Sequence, residues 1–481
     1  MISHDVMAPI MFGGLIVFLL IGYPAAFSLG AVGLFFSFIG IEMGMFQPTF
    51  LQALPDRVFG ILSNDLLLSI PFFTFMGAIL EKCGLAEDML EGLGQLFGPI
   101  RGGLAYAVII VGAILGAITG TVAASVIAMG LISLPIMLRY GYNPRVATGV
   151  IAASGTITQL IPPSLVLIVL ADQLGKSVGD MYAGAIGPSI IQIILFCLFI
   201  FFLSIFRPQD VPALPPEARP KIDWKLFKKI LWGIVPSIAL IFLVLGTILM
   251  GLATPTEGGA MGSVGALVLA AMNGRLQKTL VWDAMTSTMR INAMVIFILI
   301  GSTVFGLAFR GVDGDLWIEH LLSGLPGGQV GFLIVVNLFV FFLAFFLDYF
   351  EIAFIIIPLL APVAQKLGID LIWFGVLLGA NMQTSFMHPP FGFALFYLRG
   401  VAPKSVKSSD IYYGALPWVG LQLILVAIII FVPETVTYFI DKPAIAVDAN
   451  AISVDPLAGV EQNEITVDSS SEIERQLREN K

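Results

Sequence analysis

The sequence predicts an all-α polytopic membrane protein with inverted-topology repeats, each containing a re-entrant hairpin and a proline-broken transmembrane helix. Three observations predict this fold class. First, 58% of the 481 residues are hydrophobic and only 12% are charged, about half the charged share of a typical soluble domain. Second, uncharged stretches of 36, 37 and 27 residues begin at positions 6, 102 and 230, and about 20 apolar residues suffice to cross a bilayer. Third, a pattern of residues recurs at a constant offset of 227.

The same features exclude several other classes of protein. Transmembrane β-strands would appear as alternating segments of roughly 10 residues, which long apolar blocks contradict. A net charge of −8 leaves no basic surface for nucleic acid. The two cysteines, Cys83 and Cys197, form no disulfide framework or metal motif. No G-x-x-x-x-G-K-[ST] string is present, so no ATP site is expected in this chain.

Ten stretches are predicted to cross the membrane, and two further apolar blocks do not fit single crossings. A helix of 37 residues would be about 55 Å long, against a hydrocarbon core of about 30 Å, and two full crossings need more residues. We therefore interpret 102–138 and 321–365 as hairpins that enter and leave on one side, the first with its tip at Gly120. The ten predicted spans are 6–22, 24–41, 66–80, 146–171, 181–206, 230–251, 256–274, 291–309, 371–398 and 411–433.

The basic residues predict the orientation of these spans. With the N-terminus outside, the inner loops hold sixteen Lys and Arg residues, the outer loops hold four, and the last four lie in the C-terminal tail. Inner loops are enriched in basic residues, so both termini are predicted to be periplasmic. Counting either hairpin as a full crossing would spoil this asymmetry.

The chain divides at a basic, proline-rich stretch, 207–229, which we predict to be a cytoplasmic linker with a short amphipathic helix around 223–230. Residues 1–206 form the first predicted repeat, with its broken span at 146–171, and residues 230–440 form the second, with its broken span at 371–398. The tail, 441–481, carries nine acids and four bases with few aromatic residues, a composition typical of disorder.

The repeat itself is visible in matched strings. Gly141-Tyr142-Asn143 lies 21 residues before Pro162-Pro163, and Gly368-Ile369-Asp370 lies 21 residues before Pro389-Pro390. Because each half has five crossings, an odd number, the second half is predicted to be inverted in the membrane. Inverted repeats with discontinuous helices are typical of secondary transporters whose site lies near the midplane. The same offset relates Pro135 to Pro362, Ser154 to Asn381, and Thr121 to Asp348.

In the first half, two breaks are candidate binding sites. The hairpin tip Thr119-Gly120-Thr121, with Ser125 nearby, would leave backbone groups unpaired inside the membrane, which lipid does not tolerate. Its glycine and small hydroxyl residues could turn the tip into a cation or carboxylate site. The alternative is close helix packing along Gly112, Gly116 and Gly120. The second break runs from Ser154 to Ser164 through Pro162-Pro163. Prolines free the preceding carbonyls, which with hydroxyl oxygens suit Na⁺; a simple kink is the alternative.

In the second half, Asp348 and Glu351 lie at the predicted hairpin tip. A carboxylate inside a membrane is a functional candidate, so Asp348 could hold Na⁺, cap the returning helix, or take a proton. Glu351, three residues on, is interpreted as a second capping-box acid or as a surface partner. The counterpart of the second break is Asn381-Met382-Gln383-Thr384-Ser385 followed by His388, a histidine that could sense protons or serve a structural role. Glu257, just after a proline, is expected to satisfy a helix N-terminus.

These strings resemble the large membrane subunit (DctM type) of TRAP transporters, the tripartite ATP-independent periplasmic systems, over residues 8–438. The branch often labelled mannitol/chloroaromatic or 2-oxoacid is similar at 383–386 and 391–398. One departure is His388, where the family usually has Thr. The resemblance is carried by Ser69-Ile70-Pro71-Phe72-Phe73, Gly120 with its threonines, Gly141-Tyr142-Asn143, Gly155-Thr156-Ile157, Ile161-Pro162-Pro163-Ser164, Ala253-Thr254-Pro255-Thr256-Glu257 and Pro389-Pro390-Phe391-Gly392.

The resemblance implies a transporter of the bacterial inner membrane and not an enzyme. It implies Na⁺-coupled uptake of an organic acid without ATP, with two or more Na⁺ sites and an elevator movement as in the ion-transporter superfamily. It also implies two partners, a small membrane subunit (DctQ type) and a periplasmic substrate-binding protein (DctP type). The alternative is a stand-alone ion-coupled carboxylate symporter of the same architecture.

The resemblance also assigns the candidate residues by position. One Na⁺ would lie between the tip at 119–121 and the break at 154–161, and the second between the tip at Asp348 and residues 381–388. The metal candidates are Thr119, Gly120, Ser154, Gly155, Thr156, Ile161, Asp348, Asn381, Gln383 and His388. The substrate-binding candidates are Thr121, Thr158, Ser164, Thr384 and Ser385.

Overall fold

A computed structural model describes residues 4–219 and 224–440, and within these ranges the chain forms helices and no strand. The predicted all-α class is therefore confirmed, while the acidic tail lies outside the described residues. Before the linker the helices are α1 (His4–Ile21), α2 (Ala25–Glu42), α3 (Leu54–Leu62), α4 (Ser69–Glu81), α5 (Leu85–Phe97), α6 (Gly103–Thr119), α7 (Val122–Arg139), α8 (Pro144–Thr156), α9 (Leu165–Leu174) and α10 (Val178–Phe206).

The helices after the linker follow a similar order of long spans, a hairpin and a broken span. They are α11 (Trp224–Ile241), α12 (Thr247–Leu249), α13 (Pro255–Met272), α14 (Lys278–Gly311), α15 (Gly314–Ser323), α16 (Gly328–Leu343), α17 (Tyr349–Glu351), α18 (Ile357–Lys366), α19 (Leu371–Met382), α20 (Phe393–Val401), α21 (Ser408–Phe431) and α22 (Glu434–Thr437). Short π segments join α11 to α12 and α17 to α18.

Seven of the described helices are long and apolar enough to cross a membrane, or up to nine if each of two bent pairs counts as one span. The bent pairs are α4 with α5, at 56°, and α15 with α16, at 118°. Large apolar side chains such as Phe201, Phe242 and Phe342 are exposed on the outside of the bundle, as expected where a surface faces lipid. The broken spans are each built from two shorter helices.

Two features next to the linker differ from the sequence prediction. The amphipathic helix expected around 223–230 is not separate, because α11 runs without interruption from Trp224 into the following span. Helix α5 was not predicted from the sequence; it has charged residues but buries Met89 and Leu93 on one face. Lys229 of α11 lies 2.6 Å from Glu91 of α5, so the two amphipathic segments are packed together.

The start of α6 and the end of α7, which form the first hairpin, lie on the same side of the protein. Gly120 has a left-handed φ of 62° at the end of α6, and α7 starts two residues later. At the open end, the amide of Gly102 donates to the carbonyl of Val211 and the amide of Asn143 donates to the carbonyl of Asp210, both at 3.0 Å. Because both ends are bonded to neighbouring linker residues, α6 and α7 enter and leave on one side.

The second hairpin, α16 with α17–α18, is closed in a similar way. Gln329 Nε2 at the start of α16 donates to the carbonyl of Leu367 at 2.7 Å, just beyond the end of α18. Lys366 Nζ lies 2.5 Å from Glu319 Oε1 of the preceding α15. Gln329, at the open end of the second hairpin, corresponds to Gly102 at the offset of 227, so the two hairpins begin at equivalent positions.

The two broken spans also have the same construction. The first passes from α8 through a 3₁₀ turn at Ile157–Gln159 to α9, and the second from α19 through Gln383–Met387 to α20. Asn143 and Asp370, equivalent at the offset of 227, each cap the first half-helix with their own side chain. These likenesses support the predicted repeat.

The final spans of the two halves, α10 and α21, pack against each other. The ring of Trp418 lies 4.9 Å from Phe196 and 5.0 Å from Phe199, edge to face in both cases. On its other side α21 crosses α8 closely through Gly414. A Cβ there would collide with the carbonyl oxygen of Arg145.

We predict that Gly414→Ala destabilises the protein by about 1–3 kcal/mol, because the added methyl group has no room and the backbones must separate. Gly420 lies on the same helix with no atom near its added Cβ, so Gly420→Ala is the matched control and should leave stability unchanged or slightly raised. Thermal unfolding of the two purified variants in one detergent compares them. Equal melting temperatures would contradict the close crossing of α8 and α21.

Candidate functional site

The first hairpin lies directly against the first break. A Cβ on Gly112 of α6 would be 2.6 Å from the Cβ of Ser154, and one on Gly116 would be 3.0 Å from the Cα of Thr158. Gly112 and Gly116 therefore allow the close helix packing that was the alternative interpretation of this stretch. The tip residue Gly120 is only partly buried, and the tip is left available for another role.

The hydroxyl groups around the first break donate to nearby carbonyls. Thr158 donates to Gly155 at 2.9 Å, and Ser164 donates to Gln159 at 2.6 Å. Each hydroxyl oxygen keeps lone pairs, so the buried break is rich in acceptors and poor in free donors. Within the described residues, Ser154 Oγ and Gln159 Oε1 are also buried without a partner.

The remaining candidates of the first half lie next to this break. Thr119 Oγ1 is 2.9 Å from the carbonyl of Leu115 and 3.0 Å from Ser125 Oγ. Thr121 begins α7 in an extended conformation without a side-chain cap. A Cβ on the tip residue Gly120 would lie 3.7 Å from Leu165 Cγ, just after the break. The tip and the first break therefore lie together, and the predicted residues of this region are Thr119, Gly120, Thr121, Ser154, Gly155, Thr156, Thr158, Ile161 and Ser164.

The second break repeats this arrangement with other side chains. Thr384 donates to the carbonyl of Asn381 at 2.7 Å, and Ser385 donates to that of Met382 at 2.6 Å. Asn381 Nδ2 donates to the carbonyl of Asn337 on α16 at 2.8 Å, which ties the second hairpin to the break. The other amide atom, Asn381 Oδ1, is buried without a partner in the described part of the chain.

His388 is held between two aromatic rings of the second hairpin. Its ring centroid lies 4.3 Å from that of Phe341 and 4.1 Å from that of Phe345, and the side chain is only 1% exposed. Across residues 4–219 and 224–440, neither ring nitrogen has a hydrogen-bond partner. The histidine therefore has both a packing role and two unused polar atoms.

At the second hairpin tip, Asp348 and Glu351 form a reciprocal capping box. The Glu351 amide donates to Asp348 Oδ1 at 2.9 Å, and the Asp348 amide donates to Glu351 Oε2 at 3.0 Å. The capping alternative is thus present in the structure, and the Na⁺ and proton roles stay predictions. Both residues line a cavity of about 440 Å³ with Phe27 and Phe297, between the tip and helices α2 and α14.

Glu257 has the structural role that the sequence predicts. Its carboxylate accepts from the amide of Thr254 at 2.8 Å, and its own amide donates to Thr254 Oγ1 at 3.2 Å. This second capping box starts α13 and provides a comparison for the one at Asp348.

A further cavity and two buried amides were not predicted from the sequence. The cavity, about 540 Å³, lies between α3, α14, α18 and the end of α9, and is lined by Arg57, Arg310 and Asp172 among others. The amides are Gln192 of α10 and Gln422 of α21, both fully buried. A lone amide inside an apolar span was the available signal, since such groups need a partner.

We predict that His388→Phe raises the melting temperature in Na⁺-free buffer, because it keeps the aromatic stack and removes two buried polar atoms that lack partners, worth about 1–3 kcal/mol. If His388 is also a Na⁺ ligand, the stabilisation by added Na⁺ should shrink. His320 is exposed on α15, so His320→Phe is the control and should change neither value. A lower melting temperature of His388→Phe without Na⁺ would contradict the absence of partners.

Comparison with known proteins agrees with this architecture. The chain is 29% identical over 445 residues to the C4-dicarboxylate TRAP transporter large permease protein DctM of Rhodobacter capsulatus, covering 89% of this chain and 97% of that one. It is 24% identical to the sialic acid TRAP transporter permease protein SiaT of Haemophilus influenzae, covering 87% and 66%. It is 26% identical to the isethionate TRAP transporter permease protein DctMQ of Oleidesulfovibrio alaskensis, covering 90% and 66%.

A solved structure supports the fold alone. The crystal structure of the YdaH transporter of Alcanivorax borkumensis superposes with a TM-score of 0.56 at 16% sequence identity, covering 79% of this chain and 86% of that one. The family described as "Tripartite ATP-independent periplasmic transporter, DctM component" matches residues 12–435. The chain therefore belongs to the DctM family of TRAP transporter large permeases, which are membrane transport proteins and not enzymes.

Proposed function

We propose that this permease takes up an organic acid across the bacterial inner membrane, coupled to Na⁺, after delivery by a periplasmic binding protein. The observation that carries the proposal is the set of buried acceptor atoms at both breaks. Ser154 Oγ in one half and Asn381 Oδ1 in the other, related by the offset of 227, both lack a donor within the described residues. A buried acceptor without a donor is costly, and a bound cation removes that cost.

Na⁺ suits these positions for electrostatic reasons. The half-helices α8 and α19 both end at the breaks, and the carbonyl end of a helix carries partial negative charge. In discontinuous-helix transporters, unwound carbonyls and half-helix C-termini coordinate Na⁺. The hydroxyl oxygens of Thr158 and Thr384 add acceptors at these ends.

The helices that start at the first hairpin tip and after the second break suit a carboxylate. Neither Thr121 before α7 nor Gly392 before α20 caps its helix with a side chain. Helix N-termini present amide donors and partial positive charge to anions. The hydroxyls of Thr158, Ser164, Thr384 and Ser385 donate to backbone carbonyls here, so binding an acid through them would require those hydroxyls to rotate.

An elevator movement would carry the hairpins and breaks past a scaffold that includes α2 and α14. Two cavities support this division, because both lie between α14 and the second hairpin. One is the cavity lined by Arg57 and Arg310, and the other is the cavity lined by Asp348 and Glu351. Water-accessible space along a boundary leaves fewer contacts to break when one part moves against the other.

The partners and substrate class are proposed from the relatives. Those proteins are named for a C4-dicarboxylate, sialic acid and isethionate, and all three are organic anions. We extend this to an organic acid for the present chain, with a DctQ-type small subunit and a DctP-type binding protein. Both termini are proposed to be periplasmic, in line with the distribution of basic residues.

Uptake into proteoliposomes tests this function. The vesicles would contain the permease and its small subunit, with an inward Na⁺ gradient, a panel of labelled organic acids, and the binding protein present or absent. We expect uptake that requires both Na⁺ and the binding protein. Equal uptake without the binding protein would instead support a stand-alone carboxylate symporter, and uptake without Na⁺ would contradict the coupling.

A pair of capping-box variants separates the two roles of Asp348. We predict that Asp348→Asn keeps the cap, since Asn caps about as well as Asp, yet raises the Na⁺ concentration for half-maximal uptake roughly tenfold, because an ionic ligand becomes neutral. Glu257→Gln neutralises the carboxylate of the other capping box and should leave this concentration unchanged. An unchanged value in Asp348→Asn would mean that capping is the whole role of Asp348.

A further inference from the structure

Two glutamines connect the final span of each half to the broken helix of the other half. Gln192 Nε2 of α10 donates to Gln383 Oε1 at the second break, at 2.6 Å. Gln422 Nε2 of α21 donates to Thr156 Oγ1 at the first break, at 2.9 Å. All four side chains are buried, and Gln192, Gln383, Gln422 and Thr156 are each 0% exposed.

The two bonds are equivalent in the repeat. Their acceptors, Thr156 and Gln383, are separated by the offset of 227, and both are break residues at the end of a half-helix. Their donors, Gln192 and Gln422, are 230 residues apart; the three extra residues are close to one helical turn, which keeps both donors on a similar face. One such contact would suit simple packing, but a reciprocal pair across the two halves indicates a shared role.

The helices that carry the glutamines are well placed to act as a rigid support. Phe196, one turn after Gln192, packs edge to face on Trp418, one turn before Gln422, at 4.9 Å. On the other side of Gln192, Ser189 Oγ lies 3.2 Å from the carbonyl of Leu160 in the first break. The two amides therefore extend from a single pair of packed helices toward both breaks.

We propose that Gln192 and Gln422 are positioning residues for ion binding, each holding the break of the opposite half in its binding geometry. This inference rests on the proposed Na⁺ coupling. The amides act through Gln383 and Thr156, and their own Oε1 atoms have no partner among the described residues. Because each break is held by the other half, loosening either amide changes the ion site of the half that does not contain it.

The test replaces each glutamine by methionine, which keeps the length of the side chain and removes the donor. We expect Gln192→Met and Gln422→Met each to raise the Na⁺ concentration for half-maximal uptake about 5- to 10-fold, because a buried acceptor loses its donor. The binding protein's own affinity for the organic acid should not change. Gln365 is exposed on α18, so Gln365→Met is the control and should behave as the wild type.

A second variant and a second readout distinguish positioning from folding. In Gln422→Met/Thr156→Val both partners of one bond are apolar, and the effect should not exceed that of the worse single variant, since interacting residues are not additive. The stabilisation of the detergent-solubilised complex by added Na⁺ should weaken in the single variants, with the melting temperature in Na⁺-free buffer as the measure of folding.

Three outcomes would overturn the inference. A lower maximal uptake rate with an unchanged half-saturating Na⁺ concentration in both single variants would show a merely structural role. Fully additive effects of Gln422→Met and Thr156→Val would show that the two side chains act separately. A wild-type complex with no Na⁺ response in either readout would overturn the proposed Na⁺ coupling, and with it the role of both glutamines.

Discussion

The structure depends on one constraint, that a peptide group inside the membrane must find its hydrogen-bond partner within the protein. In the described part of the chain, two hairpin tips and two breaks interrupt the helices, and both breaks are covered by other protein segments. The hairpin arms α6 and α16 lie on the breaks, with Gly112 against Ser154 and Asn337 bonded to Asn381. Local hydroxyls donate to the carbonyls freed at the breaks, as Thr158 and Thr384 do. The breaks are therefore rich in hydrogen-bond acceptors.

The two halves have similar backbone arrangements at their hairpin tips and breaks but different side chains. The hairpin tip begins its second arm at Thr121 in the first half, whereas Asp348 in the second half adds a charged cap shared with Glu351. At the breaks, Ser154 corresponds to Asn381. The aromatic packing of His388 is one more feature of the second half. The two halves therefore combine similar local geometry with different side-chain chemistry at their tips and breaks.

Much of this architecture can be predicted from the sequence, because charge placement and prolines act locally. Uncharged blocks and basic loops predict the helices, and Pro162-Pro163 and Pro389-Pro390 mark both breaks. The helix α5 was missed because its apolar face is short and interrupted by charges. The role of Asp348 could not be decided, since one carboxylate can cap a helix or hold an ion.

Contacts between distant segments could not be predicted, because the position of a lone amide such as Gln192 in the sequence does not reveal which helix it faces. We propose that each of the two related breaks binds one Na⁺ ion. Calorimetric titration of the purified complex with Na⁺, in a choline buffer, would count the bound ions. We expect two ions per chain, with one fewer in Asn381→Leu and one fewer in Ser154→Ala. No saturable binding, or a single ion whose binding both variants leave unchanged, would contradict it.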